Sequence, residues 1–178
     1  WRDRLGVRTP EGILERIVDG DPLGLRRLVG EVIRREGRLA DADRVHLRAL
    51  ALIAHRATAE ELPKASRWVE DRVQEALSDV LASEQAKLEA AETPGPTEAF
   101  AVLAGPLGLE AMDLRRVCSA VNARPAEERA AFFALLVDGR GLEVAAREAG
   151  VKAVELARRA RRALDAVLDA VEPEAVEP

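Results

Sequence analysis

The chain has 178 residues and carries 27 Lys and Arg against 32 Asp and Glu, a net charge of −5, so no global positive field draws it onto nucleic acid. Hydrophobic residues make up 48% and aromatics 3%, with no Tyr; this is enough apolar side chain to exclude wholesale disorder, and the mix of Ala, Leu and Val with Arg and Glu favours helix throughout. Cys118 is the only cysteine, which excludes an internal disulfide, and no Cys/His spacing suggests a metal site.

The length suits one elongated or two small domains with modest cores. No apolar run approaches a membrane span and the N-terminus has no signal-peptide pattern, so a cytoplasmic protein without membrane contact is expected. The chain opens on Trp1 rather than Met, and residues upstream of it are expected. From there Thr9-Pro10 reads as an N-cap followed by proline at the first helical position, with Ile13, Leu14, Ile17 and Val18 as an apolar face and Gly20 as the stop. Asp21-Pro22 repeats the start signal for a helix carrying Leu25, Leu28, Val29, Val32 and Ile33. Asp41 or Asp43 caps a third helix whose Val45, Leu47, Leu50, Leu52, Ile53 and Ala54 place it centrally in a bundle. His46 and His55 lie on it, too far apart in register to act together as metal ligands. After the capping-box pattern Thr58-Ala59-Glu60-Glu61, a long helix to about Ala91 buries Trp68, Val69, Val73, Leu77, Val80, Leu81 and Leu88.

Two prolines and a glycine within 92–97 mark the domain boundary. The expected division is an N-terminal bundle over 1–92, a linker over 93–97, a second helical domain over 98–170 and a disordered acidic tail over 171–178. Within the second domain a short helix follows Thr97. Another, at 110–121, turns Leu114, Val117 and Cys118 inward, and Arg124-Pro125 begins a helix with Phe132, Phe133, Leu135 and Leu136 on its core face. The fold class is therefore all-α, two helical bundles.

The stretch 142–164, LEVAAREAGVKAVELARRARRAL, organises the second bundle. It reads as two helices separated at Gly150, where a positive φ is cheapest as glycine. Ala146 allows a close helix crossing and Leu156 fills the gap. This is the helix-turn-helix pattern, in which a second helix enters a DNA major groove. Residues 152–162 hold five basic residues and one acidic, so this segment is locally basic on an acidic protein. Lys152, Arg158, Arg159 and Arg162 are the candidate DNA-binding residues.

With both halves read, the chain resembles the extracytoplasmic-function type of RNA polymerase sigma factor. Arg124-Pro125, Arg129, Phe132-Phe133, Gly139 and the segment through Arg162 are similar to the promoter-binding region four of that family. Glu70-Asp71-Arg72-Val73-Gln74-Glu75 is similar to the acid-acid-x-apolar-Gln-Glu segment of the region-two helix that docks on the polymerase clamp, and HLRALALIAHRAT resembles the helix preceding it. The resemblance implies RNA polymerase core and duplex promoter DNA as partners, with an anti-sigma protein as a further candidate. It also implies Asp71, Gln74 and Glu75 as polymerase-binding residues. The chain departs from the family after that segment, where ALSDVLASEQAKLEA has no aromatic to stack on an unpaired base. Arg124 stands where Leu is usual, and Glu155, Leu156 and Ala157 stand where Thr-Val-Lys is usual. A second reading is therefore a sigma-like interaction module that binds polymerase or an anti-sigma partner without melting a promoter. No catalytic motif, phosphate loop or metal cluster is present in the sequence, so no enzymatic activity, metal or cofactor is expected.

Overall fold

A computed structural model describes residues 9–57, 65–90 and 111–171. Among the described residues there are eight α-helices and no strand. They are α1 (Pro10–Val18), α2 (Leu25–Arg35), α3 (Ala42–Arg56), α4 (Ala65–Glu89), α5 (Ala111–Asn122), α6 (Ala126–Phe132), α7 (Leu142–Glu148) and α8 (Ala153–Val171), with a π-helical turn at Phe133–Val137 directly after α6. The chain divides into two compact units. One comprises Trp1–Arg35 and Ala40–Ser83, the other Glu36–Leu39 and Glu84–Pro178. The expected linker at 93–97, the short helix after Thr97 and the capping-box residues Thr58 to Glu61 lie outside the described residues.

In the first unit, local polar chemistry starts the first three helices. The Thr9 hydroxyl accepts from the Gly12 N–H at 3.2 Å, and Pro10 occupies the first helical position, where its missing N–H costs nothing. Asp21 caps α2 from a distance. Its carboxylate accepts from the N–H groups of Leu25 and Arg26, at 2.7 and 3.2 Å, so the helix begins at Leu25 and Pro22 stays outside it. Asp41, not Asp43, caps α3, accepting from the Asp43 and Arg44 N–H groups at 3.0 and 3.1 Å.

One apolar core joins the four helices of this unit. It contains Ile13 and Ile17 of α1, Leu25, Val29 and Val32 of α2, Val45, Ala49, Leu50 and Ile53 of α3, and Trp68, Val69, Val73, Leu77 and Val80 of α4. Two expectations need correction. Leu14 and Val18 do not share the buried face of α1; Val18 is 65% exposed, because a nine-residue helix on one neighbour buries only the i, i+4 stripe of Ile13 and Ile17. Leu47 is 64% exposed, so α3 keeps one solvent-facing side despite its apolar composition.

The second unit is built on α8, which packs against α5, α6 and α7. Its Leu156, Ala160, Ala163 and Val167 recur at i, i+4, i+7 and i+11, the spacing of one helix face, and all are buried. Ala163 and Val167 pack with Val117, Val121 and Phe132; Leu156 and Ala160 pack with Ala131, Ala145 and Ala146. The helix continues to Val171, one residue past the expected domain end at 170, and Val171 packs against the first of these clusters rather than belonging to a disordered tail. The π-turn rearranges the expected core face of α6. The Asp138 N–H donates to the Phe133 carbonyl five residues back, at 2.8 Å, and the wider turn leaves Leu136 50% exposed while Phe132 remains buried.

The short segment Glu36–Leu39 is part of this unit and is held by polar contacts. Asn122 donates its side-chain amide to the Leu39 carbonyl and accepts from the Leu39 N–H, each at 2.8 Å, and Arg38 donates to the Asn122 carbonyl. Arg129 is buried, and its guanidinium donates to the carbonyls of Glu36 (2.9 Å), Gly37 (3.1 Å) and Arg124 (2.5 Å). Gly37 has φ +56, a conformation that favours glycine, while a Cβ there would meet Arg129 Cβ at 3.4 Å, an ordinary contact. Burial, then the neighbouring Arg38 cation, lowers the Arg129 pKa, yet a guanidinium stays protonated in proteins.

Replacing Arg129 with Met keeps the aliphatic volume but removes the donor from three carbonyls, of which that of Gly37 is buried. Charge-assisted hydrogen bonds and stranded buried acceptors are each worth ~1–3 kcal/mol, so Arg129→Met should lower the unfolding free energy by about 2–4 kcal/mol in urea titration. A change below about 0.5 kcal/mol, the range of an inert surface substitution, would contradict this role.

Candidate functional site

The turn between α7 and α8 forms as the sequence dictates. Gly150 has φ +66, its N–H donates to the Arg147 carbonyl at 3.2 Å, and the Val151 N–H reaches back to the Ala146 carbonyl at 3.0 Å. These two bonds close the end of α7 in the paired manner of a glycine-terminated helix. The Lys152 carbonyl then accepts from the N–H groups of Glu155 and Leu156, which starts α8. Ala146 and Leu156 meet in the buried cluster between the two helices, so the small residue and the gap-filling leucine occupy the places expected of them.

The four candidate DNA-binding residues lie on α8 and at its start, but they are not equivalent. Lys152 is exposed and forms no ion pair among the described residues. Arg158 Nη1 lies 2.6 Å from Glu155 Oε2, and Arg159 Nε lies 3.1 Å from Glu155 Oε1, so a single carboxylate engages both guanidinium groups. Arg162 Nη1 lies 3.4 Å from Glu128 Oε1. Glu128 is buried, and its other oxygen pairs with Arg124 at 2.7 Å. Arg161, outside the expected set, is the most exposed of these arginines at 81%, with Asp165 3.9 Å away. The one acidic residue counted within 152–162 is Glu155, whereas Glu128 lies on another helix and was not identified from the sequence. The i, i+4 spacing of Arg124 and Glu128 was a signal that could have found that pair, whereas the approach of Arg162 depends on tertiary packing.

In the first unit, Asp71 and Gln74 are exposed on α4. Glu75 is not equivalent to them. Its carboxylate accepts from Arg56 Nη1 and Nη2 of α3, at 3.0 and 2.5 Å, and Arg72 Nε lies 3.3 Å away. Arg72 also lies over the Trp68 ring, 5.5 Å from its centroid. The preceding acid, Glu70, pairs with Arg35 at 2.7 Å. Asp71 and Glu75 therefore do not present a matched pair of free carboxylates, because Glu75 joins α3 to α4.

Elsewhere the chemistry is sparse. A groove of about 450 Å³ is lined by Arg44, Leu47, Arg48, Asp79, Val80 and Ser83, with Asp79 already bonded to Arg48 at 2.7 Å. His46 is partly buried, and that burial, followed by the Arg26 cation, lowers its pKa against the opposing pull of Asp21 and Asp43; His55 is exposed. Among the described residues no group of three His, Cys, Asp or Glu is arranged to hold a metal, and no helix is long and apolar enough to cross a membrane. No protein-family model matches the chain, and no curated protein matches it.

Cys118 is buried in the second unit and its thiol pKa is pushed up to about 12 by that burial, so almost no thiolate exists near neutral pH. A thiol-reactive disulfide reagent at pH 8 should leave the native protein unmodified over the time in which it fully labels the urea-unfolded chain. Equal labelling rates in the two states would contradict the burial.

Proposed function

We propose that the protein is a sigma-like transcription factor that binds RNA polymerase core through the exposed part of α4 and duplex promoter DNA through α8, acting in the cytoplasm. The observation that carries the reading is the α7–Gly150–α8 geometry: a closed helix end, a four-residue turn at 149–152, and a long helix with a basic outward face. In a helix-turn-helix the second helix lies in the major groove, where phosphate contacts orient the protein and base-edge contacts carry sequence information. Lys152, Arg158, Arg159 and Arg162 are the residues assigned to that contact.

A specific observation favours a second reading, a sigma-like interaction module that binds polymerase or an anti-sigma protein without opening a promoter. The α4 segment beyond Glu75 offers no aromatic side chain on which an unpaired base could stack, and three of the four assigned basic groups already have carboxylate partners. Both readings share the polymerase contact and differ in DNA.

Two measurements test them. The full chain, immobilised, should retain core RNA polymerase, and Asp71→Arg combined with Gln74→Ala should weaken retention roughly five- to tenfold, the loss typical of central interface contacts, with unchanged circular dichroism. Glu75 is left intact in this variant because its removal would strand Arg56. Undiminished retention would remove the polymerase assignment of these residues. In parallel, full-length protein titrated with promoter duplexes should bind with a log–log salt slope of about −0.9 per phosphate contacted, and Lys152→Ala should flatten that slope by about one contact. The full chain is required because Glu36–Leu39 belongs to the second unit. Polymerase retention without DNA binding at low salt would select the second reading.

A further inference from the structure

We infer that Glu155 is a built-in competitor for DNA phosphate, holding Arg158 and Arg159 in a pre-neutralised state that keeps the affinity of α8 for duplex DNA low. The inference rests on the proposed DNA-facing role of α8. A guanidinium meets a carboxylate and a phosphate through the same N–H edges, so a group bonded to one must release it, or share it, to bond the other. Both oxygens of Glu155 are committed in this way, one to Arg158 Nη1 at 2.6 Å and one to Arg159 Nε at 3.1 Å. The spacing makes the arrangement intrinsic to the helix, since positions three and four residues beyond Glu155 both lie over its side chain.

Glu155 differs from the other carboxylates on this face. Glu128 also approaches an α8 arginine, but it is buried and shared with Arg124, so releasing Arg162 would not free it from the fold. Asp165 stands 3.9 Å from Arg161, beyond hydrogen-bonding distance. Glu155 is a third exposed, and its pairs lie within one helix at the surface, where ion pairs contribute little to stability. It can therefore yield to a phosphate without disturbing the core. Its negative charge would also remain beside any phosphate that Arg158 or Arg159 engaged, which opposes binding further.

The test uses the full chain, a fluorescently labelled mixed-sequence DNA duplex, and three proteins: wild type, Glu155→Gln and Asp165→Asn. Each variant gains one unit of positive charge, so the comparison separates the position of the charge from its total. Glu155→Gln should bind about three- to tenfold more tightly than wild type near physiological salt, the effect of one screened charge at contact distance, while Asp165→Asn should gain clearly less. The salt slope of Glu155→Gln should steepen by about 0.9 for each arginine that gains a phosphate. Arg158→Ala should cost more affinity in the Glu155→Gln background than in wild type. Unfolding midpoints measured alongside should be nearly unchanged. Equal gains from the two neutralised acids, or no gain from Glu155→Gln where wild type binds, would overturn the competitor role and leave the DNA reading standing. No binding by wild type or by Glu155→Gln, both folded, would overturn both.

Discussion

Helix α8 has to be the core of its unit and the carrier of its charge at once. Leu156, Ala160, Ala163 and Val167 are buried against α5, α6 and α7, and three of these side chains are small enough or short enough to let neighbouring helices come close. With that stripe committed, the helical period leaves no freedom in where the polar residues point. Arg158, Arg161, Arg162 and Asp165 face outward, and Arg159 lies at the flank. The exposed face is a consequence of the buried one. Any substitution that rotated α8 to improve its packing would also redirect every guanidinium on it.

Electrostatics then sets the character of that face. The chain as a whole is acidic, and its ion pairs are distributed so that most basic residues of α8 have a carboxylate nearby. The two units use the same device for different ends. The Arg56–Glu75 pair links α3 to α4 at a partly exposed position, and Arg124–Glu128 steadies the start of α6. The Glu155 pairs link residues of one helix and hold no two elements together, so their effect falls on what the helix can bind rather than on whether it folds. Surface pairs of that kind contribute about 0.3–0.5 kcal/mol, small against the stability of a domain but comparable with the energies that tune binding.

Much of this was legible in the chain. Thr9-Pro10 and Gly150 each name a helix end because one side chain or one φ value satisfies a backbone requirement there, and the structure uses both; of the two candidate caps Asp41 and Asp43 it uses Asp41. Ala146 and Leu156 were legible for a similar reason: close crossing requires a small residue opposite a larger one. The features without a local signal are tertiary. Leu14, Val18, Leu47 and Leu136 are apolar in sequence but lie partly or largely exposed, since periodicity marks a face without stating whether a neighbour covers it. The π-turn at Phe133–Val137 shifts the register directly after α6 without any Gly or Pro within it to announce it. The participation of Glu36–Leu39 in the second unit depends on Asn122 and Arg129, more than eighty residues away, and no local pattern encodes it. For the same reason Glu75 reads as a free acid in sequence and is an Arg56 partner in the fold.

The proposed DNA-contacting role of the outward arginines of α8 depends on local carboxylates. Side-chain nitrogen NMR of the arginine Nε–H groups addresses it residue by residue. On titrating duplex DNA into the full chain, the signals of Arg158, Arg159 and Arg162 should shift together and saturably, while those of Arg56 and Arg129, committed to internal bonds, stay in place. Shifts confined to arginines outside α8, or no shift at any arginine at low salt, would contradict it.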